Sequence, residues 1–151
     1  MSKDTITEKI DRDLVKALKS RDRLRVDTLR MLKSALKNKQ LERGEELERD
    51  QEIGVVSGYA RKCRESIDEF RRGGREDLLS RAEDELEVVM EYMPQQLSED
   101  EIRKELEKVI ADTGASSPRD LGKVMGMMMG RFKGRVDGGE VRQIALDLLE
   151  E

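Results

Sequence analysis

Apolar positions recur at helical spacing along the whole chain, and their interruptions mark the helices. Ile6, Ile10, Leu14 and Leu18 return every four residues and predict a first helix from residue 2 or 5 to about residue 19. Thr5 and Glu8 are placed to form a capping box at its start. After a polar break at residues 20–22, a second helix turns Leu24, Thr28, Met31, Leu32, Ala35 and Leu36 inward. Its outer side carries Arg21, Arg23, Arg25, Arg30, Lys33, Lys37 and Lys39, a basic stripe. Residues 40–50, with Gly44 and no clear period, read as a loop.

The third helix has the cleanest pattern. Ile53, Val56, Ala60, Cys63, Ile67 and Phe70 alternate steps of three and four, the spacing that buries one seam against another helix. Leu79, Ala82, Leu86, Val89 and Met93 repeat it after the Gly73-Gly74 turn, which predicts an antiparallel hairpin. Pro94 disfavours helix in the residue before it, so the fourth helix should stop at Met93. A domain boundary is expected there, between residues 1–93 and 94–151.

Downstream the capping signals are clear. Ser98 with Glu101 makes a capping box before the apolar run Ile102, Leu106, Val109 and Ile110, with Leu97 as a staple and Gly114 as the stop. Ser117 caps a sixth helix over residues 118–131, Pro118 takes its first position and Asp120 sits in its positive first turn. Asp137 and Glu140 open a seventh, with Val141, Ile144, Ala145 and Leu148 inward. The expected architecture is all-α: an N-terminal domain of about four helices built on a long hairpin, then a compact three-helix bundle.

Composition agrees with the helical reading. Charged residues make up 42%, aromatics 3%, and there is no Trp. Histidine is absent, which removes the commonest acid–base and metal-ligating side chain. The lone cysteine lies on the third-helix seam as a small core residue and cannot build a disulfide framework. With no apolar run of membrane-spanning length and no signal-like start, the expected compartment is the cytoplasm. Neither cofactor, metal nor membrane is expected as a partner.

The net charge of −4 conceals a polar layout. Residues 9–43 hold twelve basic and five acidic residues, whereas residues 76–108 hold four basic and twelve acidic. Such an asymmetry suits a basic end resting on a polyanion, although long solvated helices carry charge in any case.

One stretch stands apart. Residues 114–139 hold seven of the twelve glycines and four of the eight methionines. Gly122, Gly126 and Gly130 fall every four residues on the sixth helix, and each interior glycine costs about 1 kcal/mol relative to alanine. Close approach by another backbone would offset that, and packing against a neighbouring helix is the expected form. Met125 and Met128 share a face with Leu121 and Phe132 and read as core; Met127 and Met129 are candidate partner contacts, together with Gly122 and Gly126. Lys123, Arg131, Lys133 and Arg135 surround the helix as candidate phosphate contacts, extended by Arg23 and Arg30 of the basic stripe. No Walker loop is present, no serine or cysteine sits in a nucleophile setting, and stacking platforms for single strands are lacking. Any nucleic-acid contact would therefore read backbone and shape.

Several stretches together resemble the YqeY family. They are Arg23-Leu24-Arg25 with Thr28 to Leu32, Gly74 to Leu78, Tyr92-Met93-Pro94-Gln95-Gln96-Leu97-Ser98, Gly114 to Ser117, Asp120 to Met125, and Gly134 to Gly138. The C-terminal half is similar to the tail of the B subunit of tRNA-dependent amidotransferases. The resemblance implies two small helical domains and a tail-like module that helps hold tRNA, with an aminoacyl-tRNA synthetase or an amidotransferase as further partners. It brings no counterpart of the catalytic subunits. Three readings stand side by side: a non-catalytic tRNA adaptor, a helical protein-interaction module without RNA, and direct assistance of glutamine-dependent transamidation.

Overall fold

Among the described residues, 5–150, the computed structural model holds seven α-helices, one 3₁₀ turn and no strand, so the fold is all-α. The chain divides into two compact units, Met1–Met93 and Pro94–Glu151.

Unit 1 begins with α1 (Ile6–Ser20), capped by Thr5, whose Oγ1 accepts the Glu8 N–H at 3.0 Å. The alternative start at residue 2 lies outside the described residues. Ile6, Ile10 and Ala17 are buried while Leu18 is exposed, which corrects the expected seam. A helix turns about 100° per residue, so each four-residue step overshoots by about 40° and Leu18 has rotated about 120° from Ile6. Ala17 returns to within about 20° of Ile6 and takes the inward place.

Arg21 closes α1 in the left-handed conformation, at φ 59°, and Asp22 caps α2 (Arg23–Arg43) by accepting the Arg25 N–H. The helix runs four residues further than expected, to Arg43, and Gly44 at φ 80° caps it, its N–H reaching the Gln40 carbonyl. Val26, Leu29, Leu32 and Leu36 form its buried line. Met31, expected inward, is instead exposed. It lines an open 420 Å³ cavity with Tyr59, Cys63, Phe70 and Leu78.

α3 (Arg49–Arg72) buries Ile53, Val56, Ala60, Cys63 and Ile67, the seam read from the sequence. Gly74, at φ +67°, turns the chain, and the Arg75 N–H reaches back to the Phe70 carbonyl at 2.9 Å. α4 (Glu76–Met90) then packs against α3. It ends three residues before the expected Met93. The N–H groups of Glu91, Tyr92 and Met93 bond to the carbonyls of Val88, Val89 and Met90, tightening the last turn to three-residue closures.

That tightened turn delivers Tyr92 into the unit. Its hydroxyl donates to Asp13 Oδ2 at 2.6 Å and Lys9 Nζ stands 5.2 Å from the ring centroid. Beside it Arg25 grips Glu91 with both guanidinium arms, at 2.9 and 3.1 Å. The core of unit 1 is aliphatic, with Ile10, Leu29, Leu32, Leu36, Val56 and Val89 fully buried, each contributing about 1.5–3 kcal/mol.

Three ionisable groups of this unit are held protonated. Burial pushes the Cys63 thiol up to about 11 and the Tyr59 phenol up to about 12. Burial, reinforced by Asp13, raises Tyr92 further still. Groups whose folded pKa is raised stabilise the fold fully below their unfolded pKa and lose that contribution as pH rises through the folded value. Urea midpoints followed by circular dichroism should thus stay level to near pH 9 and fall steadily from there to pH 12. A midpoint that rises across this interval would contradict the burial of these groups.

Unit 2 is organised by its caps. Ser98 and Glu101 form the reciprocal box that starts α5 (Glu99–Thr113), with Oγ accepting the Glu101 N–H and Oε1 accepting the Ser98 N–H. Gly114, at φ 70°, ends it. Ser117 opens a 3₁₀ turn, Pro118–Asp120, rather than the expected α-helical turn, and α6 (Leu121–Arg131) follows. Asp137 accepts the Glu140 N–H and starts α7 (Gly138–Leu149). Ile102, Leu106, Val109, Val124, Met128 and Val141 form the centre of a second core.

Candidate functional site

The fold of α6 follows from where its side chains can go. Val124 and Met128 are fully buried against α5 and α7, and Leu121 and Phe132 pack beside them. Gly122, Gly126 and Gly130 therefore fall on the opposite side. All three are exposed, and a Cβ built on any of them meets no atom within 4 Å outside its own helix neighbourhood. This corrects the expectation that the glycine stripe packs against a neighbouring helix. The apolar period had already committed the other face to the core.

The result is a bare helix floor with flexible sides. Met125, Met127 and Met129 are each half-buried and packed on the second core, so Met125 is no more a core residue than the other two. Met129 leans towards α7, where a Cβ on Gly138 would stand 3.7 Å from its Cε. Thioethers in this position can move to fit an approaching surface.

The cations expected near the site take different roles. Lys123 and Lys133 are exposed and make no ion pair or hydrogen bond among the described residues, beyond the weak pull of Lys123 on Asp120. Arg131 is exposed and stands 3.7 Å from Asp112. Arg135 is tied down: its Nε donates to the Gln95 carbonyl at 3.0 Å and its own carbonyl accepts the Leu97 N–H at 2.9 Å. Arg119, which the sequence reading passed over, is exposed four residues before Lys123 and adds a further cation. Asp120 is the nearby carboxylate, and it accepts the N–H groups of Ser116 at 2.9 Å and Ser117 at 3.3 Å. Those backbone bonds, Ser116 first, hold it below the usual carboxylate range. Arg23 and Arg30 are exposed on α2, which belongs to unit 1, whereas the α6 cations belong to unit 2.

Gly134 makes the turn that carries Lys133. It is buried, at φ +76°, a conformation in which other residues are strained. Its carbonyl accepts from Gln96 Nε2 at 2.6 Å, and the same amide group donates to the Pro94 carbonyl at 2.8 Å. Gln96 thus clamps the segment after Pro94 to the turn after α6. The sequence reading missed this role, because the partners lie 38 residues apart.

Among the described residues, no group of three or more His, Cys, Asp or Glu residues could hold a metal, and no helix is long and apolar enough to cross a membrane. Cys63, beside the 420 Å³ cavity, has a thiol shifted away from the reactive thiolate. What α6 offers is a helix face that a backbone can approach closely, edged by exposed cations.

Comparison with known proteins adds relatives but no chemistry. The chain is 32% identical over 112 residues to "Altered inheritance of mitochondria protein 41, mitochondrial" of Lachancea thermotolerans, covering 72% of this chain and 60% of that protein. The protein of the same name from Eremothecium gossypii is 32% identical over 85 residues, 56% of this chain and 46% of the relative. That of Saccharomyces cerevisiae (strain YJM789) is 29% identical over 84 residues, 55% and 45%. The chain thus spans between about half and three fifths of these curated relatives. Their names overturn the cytoplasmic expectation, since each is called mitochondrial. A lone buried thiol and the lack of a spanning helix speak to disulfides and insertion, not to which compartment holds the protein. A family model described as "Yqey-like protein" matches residues 7–149, so the chain belongs to the YqeY family.

Proposed function

We propose that the protein is a non-catalytic adaptor that holds the sugar-phosphate backbone of a folded RNA of the tRNA class on the α6 face. One observation carries this reading: the three glycines of α6, spaced four residues apart, are bare to solvent, beside Arg119, Lys123, Arg131 and Lys133, while the neighbouring Asp120 is engaged by backbone amides. A surface without side chains admits a rigid polyanion to backbone distance, and cations on flexible stems adjust to its phosphates. The tail-like resemblance of residues 94–151 supports tRNA as the class of RNA and a synthetase or amidotransferase as the enzyme served. Direct transamidation by this chain has no residue to support it.

Binding of bulk tRNA should weaken linearly on a log–log salt plot, with a slope magnitude of about three for three to four phosphate contacts. Replacing Lys123→Gln together with Lys133→Gln should lower that slope by about two. Absence of association at low salt, or binding indifferent to salt, would remove the proposal. The half-buried methionines support a second reading, capture of a partner helix without RNA. In that case the two lysine changes would leave capture of the partner nearly intact.

A further inference from the structure

Unit 1 carries a second unusual surface. Four large hydrophobic side chains stand out as exposed, all of them on α1 and α2; Met31 lines the 420 Å³ cavity, which leaves Val15 at 51%, Leu18 at 48% and Leu41 at 70%. Between residues 6 and 42 ten cations are exposed, against three exposed acidic residues, Glu8, Asp22 and Glu42, and the half-open carboxylates of Asp11, paired with Lys33, and Asp27, paired with Arg81. Asp22 is occupied, accepting the Arg25 N–H and facing its Nε at 3.5 Å.

The register of the hairpin puts the two features on one side. Asp11, Val15 and Leu18 are spaced four and three apart and share a face of α1. Arg23, Arg30, Lys37 and Leu41 share a face of α2 with Lys33, by steps of seven, three and four. Lys33 Nζ meets Asp11 Oδ1 at 2.8 Å, so these two faces adjoin along the hairpin. Aliphatic side chains therefore stand among cations on a continuous two-helix surface.

We propose that this α1–α2 face docks peripherally on an anionic lipid surface. Charge complementarity favours a polyanion. A phosphodiester chain would use the cations but offers nothing to Val15, Leu18 and Leu41. A protein partner needs a contiguous apolar centre, which three separated side chains do not make. A fluid headgroup region takes both: anionic lipids gather under the lysines and arginines while isolated aliphatic groups enter the acyl boundary without shape matching. Peripheral docking needs no spanning helix, so the expectation of no membrane contact, drawn from the lack of one, does not bear on it.

The test is co-sedimentation of the full chain with vesicles of phosphatidylcholine containing about one third phosphatidylglycerol, against phosphatidylcholine alone. Binding should be confined to the anionic vesicles and fall as salt rises. Arg30→Gln with Lys37→Gln should weaken it about tenfold or more. Val15→Ser with Leu18→Ser keeps every charge and should weaken it about fivefold or more, with circular dichroism confirming that helix content is unchanged. No binding to anionic vesicles at low salt, equal binding to neutral vesicles, or full binding by the serine variant would overturn the proposal. A serine variant that binds vesicles fully and is displaced by tRNA would assign the face to nucleic acid instead.

Discussion

Gly122→Ala combined with Gly126→Ala is expected to stabilise unit 2 by about 2 kcal/mol and to weaken RNA capture at the same time. The first half follows from geometry. Both glycines lie within α6 and outside the left-handed region, and the added methyl groups meet no neighbouring atom within 4 Å. Alanine then removes the entropic cost of glycine in a helix without adding strain, about 1 kcal/mol at each position. The melting temperature should rise by several degrees. The second half follows from the proposed contact, because two methyl groups hold an approaching backbone away from the helix and lengthen every cation-to-phosphate reach. A tRNA-binding titration at fixed salt should show at least a fivefold loss. If the double variant gains stability and binds tRNA as well as the parent, the bare stripe plays no part in recognition. If instead it loses stability, the stripe is packed against something, and the exposed assignment fails.

How far the sequence could be read divides along the range of the interaction. The caps at Ser98, Ser117 and Asp137 were legible because each closes within three residues, and the bonds to Glu101, Arg119 and Glu140 follow from that spacing. The third-helix seam was legible because three-and-four steps track the helical period. Leu18 was misplaced because a run of equal four-residue steps does not. The glycine stripe was misjudged for a different reason: periodicity shows which residues share a face, but not whether anything covers it. Gln96 with Gly134, and Tyr92 with Asp13 at a separation of 79 residues, are tertiary pairings with no local signal. Glu52 had a readable one, since it precedes Val56 by four residues and so puts a carboxylate at the edge of an apolar seam.

That carboxylate carries the other large expected effect. Glu52→Ala should destabilise unit 1 by about 2–3 kcal/mol. Only 3% exposed, Glu52 reaches across from α3 to the start of α1, where Oε2 accepts the Thr7 N–H at 2.9 Å and its hydroxyl at 2.8 Å. Oε1 accepts the Ile6 N–H at 3.4 Å. Thr5 takes the third orphan amide, that of Glu8, so a remote side chain and a local cap together satisfy the first turn of α1. An anion at this end also meets the positive pole of the helix. Alanine would leave two amides without their acceptor, one of them at a buried residue, and open space beneath Ile6. Thr7→Val, which removes one hydroxyl bond and keeps both amide bonds, should cost about 1 kcal/mol. Urea unfolding of the three proteins separates these contributions. A loss below about 0.5 kcal/mol for alanine would mean that water replaces the carboxylate freely and that α1 is not anchored through Glu52. The glutamine variant sets the remaining distinction: it preserves one acceptor and most of the volume, so a loss equal to that of alanine would identify the negative charge, rather than the hydrogen bonds or the packing, as what fastens α1 to α3.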